Sequence, residues 1–266
     1  MQYKRVLTIA GSDPSGGAGI QADLKTMSAC GCYAMSAITA VVDENTTGVF
    51  GVHPVPAGFV QGQIRSVLDD IGADAVKIGM LHSAELVLAV KDALSAYSLR
   101  NIVLDPVMVA TSGDTLLQTD AITRLKEALI PVARVITPNL PEASILLGSE
   151  VTASDFVEAA KALSLNRRTS VLLKAGHLSG DLLTDIFYNA EDDKIVELPS
   201  QRIDTQNTHG TGCTLSSAVA SFLAHQLPLT EAVTRAKEYV RQAILTGAAY
   251  HTGKGHGPVH HFYRFW

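Results

Sequence analysis

Hydrophobic residues recur along the chain in short runs that alternate with longer segments of helical periodicity. The short runs are rich in Val, Ile and Leu and are bounded by turn residues, a pattern typical of buried strands. They predict strands at residues 6–10, 75–78, 102–104, 135–137 and 171–174. The amphipathic segments between them predict helices at residues 22–29, 59–71, 84–94, 121–129 and 156–163. Strands that alternate with helices favour right-handed β–α–β connections. The pattern therefore predicts an α/β fold with a central, mainly parallel sheet flanked by helices on both faces.

Two segments depart from the alternation. Residues 33–42 are rich in Ala, Ile and Val and lead into the polar segment 43–48, whereas residues 182–188 and 194–198 predict a hairpin. Two long helices, at residues 211–225 and 230–250, are predicted before a glycine-containing C-terminal segment that we expect to form an ordered cap. Because the chain shows neither a linker nor a fixed-period repeat, we predict a single domain over residues 1–266.

Composition and charge limit the kinds of molecule that the protein is expected to bind. The 21 basic and 26 acidic residues give a net charge of −5, so the chain lacks the basic excess that would follow a nucleic-acid backbone. The apolar run at residues 6–10 is shorter than the roughly 7–15 residues of a signal peptide, and no run approaches the ~20 residues of a membrane span. We therefore expect a cytoplasmic protein that binds neither nucleic acid nor membrane. Cys30 and Cys32 are interpreted as small apolar residues rather than as a disulfide or zinc site.

A glycine-rich loop follows the first predicted strand, and in parallel sheets ligands bind beyond the carboxyl ends of strands. The loop covers residues 11–19, and residues 17–22 match a relaxed dinucleotide-binding fingerprint. Six residues separate the strand from Gly17, however, whereas that fingerprint turns at once. A dinucleotide loop, a purely structural turn, and a small-molecule site approached by the backbone all remain open at this point.

A second glycine-containing segment, residues 207–214 (NTHGTGCT), runs into the predicted helix 211–225. The unpaired N–H groups and the dipole of a helix N-terminus make such a segment an anion site. Cys213 falls in the first turn, where the same field predicts a lowered thiol pKa and a role as base or nucleophile. The alternative is an ordinary helix-capping turn with a buried cysteine.

Polar residues also follow the later strands. Asp105 comes directly after one strand, Asn139 and Glu142 stand three residues apart after the next, and Lys174 ends a third. Carboxylate and amide oxygens suit Mg²⁺, and a lysine can meet phosphate as a point charge. Each residue also has an ordinary alternative, as a cap, a first-turn acid or a surface lysine, so the prediction depends on their combination.

In combination these motifs resemble the ribokinase-like superfamily, in its vitamin-kinase branch, and most closely the hydroxymethylpyrimidine/phosphomethylpyrimidine kinases. The matching stretches occur in the family's order and span nearly the whole chain: TIAGSDPSGGAGIQADLKT, ITAVVDENTTGV, KIGML, VLDPVM, ITPNLPEA, LLKAGH, NTHGTGCTLSSA and GHGPVHHF. The resemblance implies ATP-dependent phosphorylation of 4-amino-5-hydroxymethyl-2-methylpyrimidine and then of its monophosphate, giving the diphosphate used in thiamine biosynthesis. It also implies Mg²⁺, small-molecule substrates and a homodimer.

The same resemblance implies roles for individual residues. Gly210, Thr211 and Gly212 would form an anion hole, and Cys213 would accept the proton of the substrate hydroxyl. Most sugar kinases of the superfamily carry Asp at the position of Cys213. The implied aminopyrimidine contacts are Glu44, Gly11, Asp23, Met80 and Val107, the ATP contacts are Lys174, Asn139 and Thr208, and the metal residues are Glu142 and Asp105.

Alternatives to the pyrimidine kinase remain. A pyridoxal kinase, or one enzyme with both activities, would share the Cys213 loop, whereas Glu44 and the C-terminal GHGPVHHF favour the pyrimidine. The hypothesis of a nucleotide-dependent oxidoreductase is supported by the relaxed fingerprint alone. A non-catalytic binding module would leave the Cys213 loop without a catalytic role. Residues 205–212 and 112–114 are candidates for loop movement.

Overall fold

An eight-stranded sheet forms the centre of the computed structural model, which describes residues 2–108 and 119–266. The strands are β1 (Arg5–Ala10), β2 (Tyr33–Ile38), β3 (Ala40–Asn45), β4 (Gly48–Pro54), β5 (Ala75–Ile78), β6 (Ile102–Leu104), β7 (Val135–Ile136), β8 (Ser170–Leu173), β9 (Leu182–Asn189) and β10 (Lys194–Gln201). The helices are α1 (Gly19–Ala29), α2 (Ala57–Asp70), α3 (Ala84–Ser95), α4 (Thr119–Arg124), α5 (Leu140–Leu147), α6 (Phe156–Leu163), α7 (Thr211–Ala224) and α8 (Leu229–Gly247). A π-helical turn, Leu125–Leu129, continues α4.

The sheet is mainly parallel, as the sequence predicts. Its strand order is β10-β9-β8-β7-β6-β5-β1-β2, and every pair from β2 across to β8 is parallel. Strand β9 is antiparallel to both β8 and β10, which confirms the predicted hairpin at this edge. The carboxyl ends of the parallel strands therefore lie along one edge of the sheet, where ligands bind in folds of this type.

Helices cover both faces of the sheet because side chains alternate between two apolar cores along each strand. On β1, Leu7 and Ile9 belong to the core beneath α2, α3, α5 and α6, whereas Val6 belongs to the core beneath α1, α7 and α8. On β6, Leu104 and Val103 divide between the two cores in the same way. Both faces of the strands are thus buried, which explains why their sequences are short continuous apolar runs.

A separate two-stranded sheet is the main element that the sequence left undefined. The apolar segment 33–42 divides at Thr39 into β2, which joins the central sheet, and β3, which pairs antiparallel with β4. One side of this hairpin packs Ala40 and Val42 against Met80, while Val41 and Phe50 remain exposed. Through Val42 and Glu44 the hairpin also lines the cavity described below.

The C-terminal segment is an ordered cap on α7 and α8, as expected. His260 and His261 are buried, and the backbone N–H of His260 donates to the Ala243 carbonyl on α8. The Asn207 amide donates to the carbonyls of Gly247 and Tyr250, which ties the loop before α7 to the same region. Residues 112–114, one of the two loops expected to move, lie outside the described residues.

Two smaller expectations can be compared with the fold. Cys30 and Cys32 are free cysteines without a disulfide between them, and Cys32 is buried among apolar side chains. Within residues 2–108 and 119–266, none of the helices combines the length and the apolar character that crossing a membrane would need.

Candidate active site

A cavity of 750 Å³ lies at the carboxyl ends of the parallel strands. Its wall brings together the residues that follow β1, β5, β6, β7 and β8, together with the start of α7 and the β3–β4 hairpin. The sequence-predicted residues that line it are Gly11, Glu44, Met80, Asp105, Val107, Asn139, Glu142, Lys174, Thr208, Gly210, Thr211, Gly212 and Cys213.

Asp23 is the exception, because the structure places it beneath the cavity rather than on its wall. Its carboxylate is fully buried and accepts hydrogen bonds from Lys77 at 2.9 and 2.8 Å, from Thr8 at 2.6 Å and from Ser217 at 2.7 Å. These bonds occupy both carboxylate oxygens. Asp23 therefore forms a buried ion pair with Lys77 and does not line the cavity, and its substrate contact stays a prediction.

The loop before α7 packs tightly against the glycine-rich loop after β1. Gly210 is the N-cap of α7 and adopts φ 76° and ψ 10°, a left-handed conformation that favours glycine. A Cβ atom there would overlap the Gly17 carbonyl oxygen, so the position also requires the smallest residue. Thr211 and Gly212 place the first turn of α7 at the cavity wall, where a helix N-terminus offers backbone N–H groups to an anion. The Thr211 N–H also donates to the Thr208 carbonyl at 3.3 Å.

Cys213 lies in the first turn of α7, as the sequence predicts, but the predicted lowering of its pKa is wrong. Burial raises the pKa of the Cys213 thiol to about 12, and the carboxylates of Asp23 and Asp105 add to the increase. The Lys77 ammonium and a hydrogen bond from the Gly19 backbone act in the opposite direction and only partly offset burial. Cys213 is therefore a neutral thiol near pH 7, because loss of solvent outweighs the groups that favour the thiolate.

Asp105 lies on the part of the cavity wall that also carries Asn139, Glu142 and Lys174, named the phosphate-side wall after the phosphate contact expected of Lys174. Its carboxylate accepts hydrogen bonds from Thr137 at 2.9 Å, from Lys174 at 3.3 Å and from Ser216 at 3.2 Å. Burial by itself would raise the pKa of Asp105, but the ammonium groups of Lys174 and Lys77 and the hydrogen bonds lower it. Asp105 is thus ionised, and Lys174 is held beside it.

Glu142 carries the second carboxyl group of this wall. Its side chain and that of Asn139 form a capping box at the start of α5, with reciprocal bonds of 2.8 and 2.9 Å. Burial raises the pKa of Glu142 to about 7, and the neighbouring Asp105 carboxylate adds to the increase, whereas Lys174 opposes it. A cation between the two carboxyl groups would relieve this repulsion, and such an oxygen donor set suits Mg²⁺.

The part of the cavity next to the β3–β4 hairpin has apolar side chains in its wall. Met80 and Val107 pack against Val42, and a Cβ atom at Gly11 would lie 2.7 Å from the Met80 Cε atom. Glu44 supplies the acidic group at this end. A flat ring with one polar edge fits these surroundings, since an apolar pocket with few polar groups orients a small ligand.

Asp13, which is fully buried, pairs with the partly buried His209, a contact that sequence reasoning did not single out. The His209 Nε2 atom lies 2.8 Å from Asp13 Oδ2, and the polar atoms of Asp13, His209 and Glu44 lie within 4.8 Å of one another. The pair joins the loop after β1 to the loop before α7. Asp13 stands in a turn-forming Asp-Pro-Ser-Gly-Gly segment, but its partner lies 196 residues away, so the sequence offered no sign of the pairing.

The part of the cavity wall formed by β9, β10 and α8 was also not predicted from the sequence. Strands β9 and β10 and helix α8 contribute apolar groups, among them Leu183 and Val240, and the basic side chains Lys237 and Arg241. The Lys237 ammonium contacts the Asp185 carboxylate. This part of the cavity thus combines apolar and basic side chains, a mixture typical of small-molecule sites.

Comparison with known proteins agrees with this geometry. Residues 13–260 match the family described as phosphomethylpyrimidine kinase. The hydroxymethylpyrimidine/phosphomethylpyrimidine kinase of Rhizobium meliloti is 50% identical over 263 residues, which cover 98% of this chain and 97% of the relative. The solved structure of a phosphomethylpyrimidine kinase from Clostridium difficile is 42% identical with a TM-score of 0.79, and the match covers 90% of this chain and 99% of that one.

Solved structures of a second activity are also similar. An ADP complex of Bacillus subtilis pyridoxal kinase is 39% identical with a TM-score of 0.88 and a coverage of 98% for both chains. The expected ribokinase-like α/β fold is confirmed by these neighbours. Because the family match runs through nearly all of the cavity-lining segments and the curated relative is similar over its full length, the chain belongs to the phosphomethylpyrimidine kinase family.

Proposed function

We propose that this protein is an ATP-dependent kinase that phosphorylates 4-amino-5-hydroxymethyl-2-methylpyrimidine and then its monophosphate, in the biosynthesis of thiamine. One observation carries the proposal: the N-terminus of α7 meets a lysine and two carboxyl groups within one cavity. A Cβ atom built on Gly212 would lie 3.5 Å from both Lys174 Nζ and Asp105 Oδ2. Positive charge, backbone donors and metal-binding oxygens are the groups that phosphoryl transfer requires.

The phosphate-side wall positions the donor. The ADP complex of the similar pyridoxal kinase supports the use of ATP by this chain. Lys174 offsets negative charge on the phosphates, with Asn139 and Thr208 at the same wall, and the first turn of α7 donates N–H groups to the transferring phosphoryl group. Asp105 and Glu142 would hold Mg²⁺, which supplies further charge neutralisation when bound.

The substrate end positions the acceptor. Met80 and Val107 flank the ring, Gly11 lets the backbone approach it, and Glu44 pairs with the amine and ring nitrogen of the aminopyrimidine. The hydroxymethyl group then points towards Cys213 and the anion hole of Gly210, Thr211 and Gly212. Holding donor and acceptor in one geometry supplies a large part of the rate in such reactions.

Proton transfer completes the reaction. The hydroxyl oxygen forms a bond to the γ-phosphorus while the bond between that phosphorus and the β–γ bridging oxygen breaks, and ADP leaves. The Cys213 thiol first releases its own proton to solvent, and the resulting thiolate then accepts the hydroxyl proton. Lys77 and the N-terminus of α7 stabilise the thiolate against the effect of burial. In the second step a phosphate oxygen of the monophosphate replaces the hydroxyl as nucleophile.

A Mg-ATP kinase assay with identification of the product tests the proposal. The hydroxymethylpyrimidine, its monophosphate and pyridoxal are compared at equal concentration. We expect both pyrimidines to be converted to the diphosphate. The likeness to a pyridoxal kinase makes pyridoxal the second candidate substrate, and turnover of pyridoxal alone would contradict the assignment. The homodimer and the cytoplasmic location remain predictions, and sedimentation of the purified protein would determine the oligomeric state.

A further inference from the structure

Asp13 is held as a carboxylate by its hydrogen bonds. Its Oδ1 accepts from the Ser15 backbone N–H at 2.7 Å, and its Oδ2 accepts from the N–H groups of Gly17 at 2.9 Å and Ala18 at 2.6 Å. His209 Nε2 approaches the same Oδ2 atom at 2.8 Å. Hydrogen bonds donated to a carboxylate favour its ionised form, and Asp13 has four such donors. Burial alone would raise the pKa of Asp13, but these hydrogen bonds hold it well below its usual range.

Glu44 is the neighbouring carboxyl group, and its surroundings differ. It sits on β3 at the cavity wall, where the titratable groups acting on it are Asp13 from the loop after β1 and His209 from the loop before α7. Burial and the Asp13 carboxylate raise the pKa of Glu44 to about 7, and His209 opposes them. When two carboxyl groups share a site, a proton goes to one of them, and here the four donors around Asp13 keep that group ionised.

A protonated Glu44 presents a specific pattern of hydrogen bonds. Its O–H group donates and its carbonyl oxygen accepts, side by side. An aminopyrimidine offers the complement along one edge, because its ring nitrogen accepts and its adjacent amine donates. A pyridoxal ring lacks that amine. A site built to hydrogen-bond one polar edge strongly rejects a ligand without it, since the buried group is then left unpaired.

We propose that Asp13 is a specificity-determining residue of this enzyme, whose fixed carboxylate leaves the shared proton on Glu44. The cavity thereby selects a ring in which an acceptor nitrogen lies beside an amine. This inference rests on the proposed function, and it adds the protonation state of the recognising group and the residue responsible for that state. Asp13 acts through Glu44 and is a positioning residue rather than a catalytic one.

Proton uptake on binding tests the inference directly. The hydroxymethylpyrimidine is titrated into the full-length protein without ATP, in a calorimeter, using two buffers of different ionisation enthalpy at pH 6 and at pH 8. The ligand's own ionisation is measured separately and subtracted. With a pKa of about 7 for Glu44, we expect uptake of about 0.1 proton per ligand at pH 6 and about 0.9 at pH 8.

Variants separate the contributions. In Asp13→Asn, uptake at pH 6 should rise several-fold, because Glu44 loses the neighbouring charge and ionises at lower pH. In Glu44→Gln, whose amide donates and accepts without titrating, uptake should vanish at both pH values while the pyrimidine still binds. Asp43→Asn removes an exposed acid from the same strand and is the matched control, for which we expect the wild-type values.

Other results would overturn the inference. Uptake near one proton at both pH values in the wild-type protein would mean that Glu44 is already ionised in the free site. Loss of pyrimidine binding in Glu44→Gln would mean that its negative charge, and not a neutral acid, recognises the ring. Both results are compatible with normal pyrimidine turnover, so they would leave the proposed function intact. Failure of the kinase assay would instead remove the proposed function itself.

Discussion

The buried ion pair beneath the cavity permits a quantitative prediction for Lys77→Met. The Lys77 ammonium lies 2.9 and 2.8 Å from the two oxygens of Asp23, and both side chains have no exposed surface. Methionine keeps an unbranched stem but removes the charge. The Asp23 carboxylate would then be buried with only the hydroxyls of Thr8 and Ser217 as partners. Removing one partner of a buried pair costs about 3–5 kcal/mol of unfolding free energy.

Urea unfolding followed by circular dichroism measures this loss. The matched control is Lys161→Met, because Lys161 pairs with Glu158 at 3.0 Å on the surface, where both side chains are exposed. For the control we expect a change within about 0.5 kcal/mol, since surface pairs contribute little. The double variant Asp23→Asn with Lys77→Met removes both charges and should be more stable than Lys77→Met alone.

The reasoning would be refuted by a specific result. If Lys77→Met were destabilised by less than about 1 kcal/mol, similar to Lys161→Met, the Asp23 charge could not be buried and unpaired in the way described. A double variant less stable than Lys77→Met would contradict the assignment of the loss to the isolated carboxylate. Either outcome would also reopen the possibility that Asp23 reaches the ligand.

Three further predictions concern the anion hole, the base and a buried histidine. Gly210→Ala should lower kcat at least 10-fold, because a Cβ atom meets the Gly17 carbonyl and shifts the start of α7. Steady-state kinetics measures kcat, and a wild-type value would contradict the close packing of the two loops. Cys213→Ala should lower turnover about 100-fold or more, whereas its ATP affinity, measured by calorimetry, should stay within a few-fold of the wild-type value. Near-normal turnover would exclude Cys213 as the base. Burial lowers the pKa of His261 to about 3, so stability should fall as pH decreases from about 6.5, where the unfolded chain begins to bind a proton, towards 3. His261→Gln should reduce this slope by about 1.4 kcal/mol per pH unit, and an unchanged slope in urea unfolding between pH 6 and 4 would contradict the burial of a neutral imidazole.

The sequence by itself determined the sheet and the edge at which ligands bind. Short apolar runs alternating with amphipathic segments require a parallel sheet covered on both faces, and the carboxyl ends of its strands must then converge. Asp105 and Lys174 follow strands directly and Asn139 stands three residues after β7, so their meeting in one cavity could be inferred without coordinates. The same local logic placed Cys213 in the first turn of a helix, because capping and periodicity are properties of neighbouring residues.

The tertiary structure alone decided the electrostatics of the site. A position on a helix does not reveal whether a side chain meets solvent, and burial is what raises the pKa of Cys213 instead of lowering it. Asp23 was expected at the substrate, but Lys77, 54 residues away, pairs with it below the cavity floor. The partnership of Asp13 with His209 spans 196 residues. Desolvation and ion pairing depend on which distant segments are packed together, and that information lies in the fold as a whole rather than in any stretch of the chain.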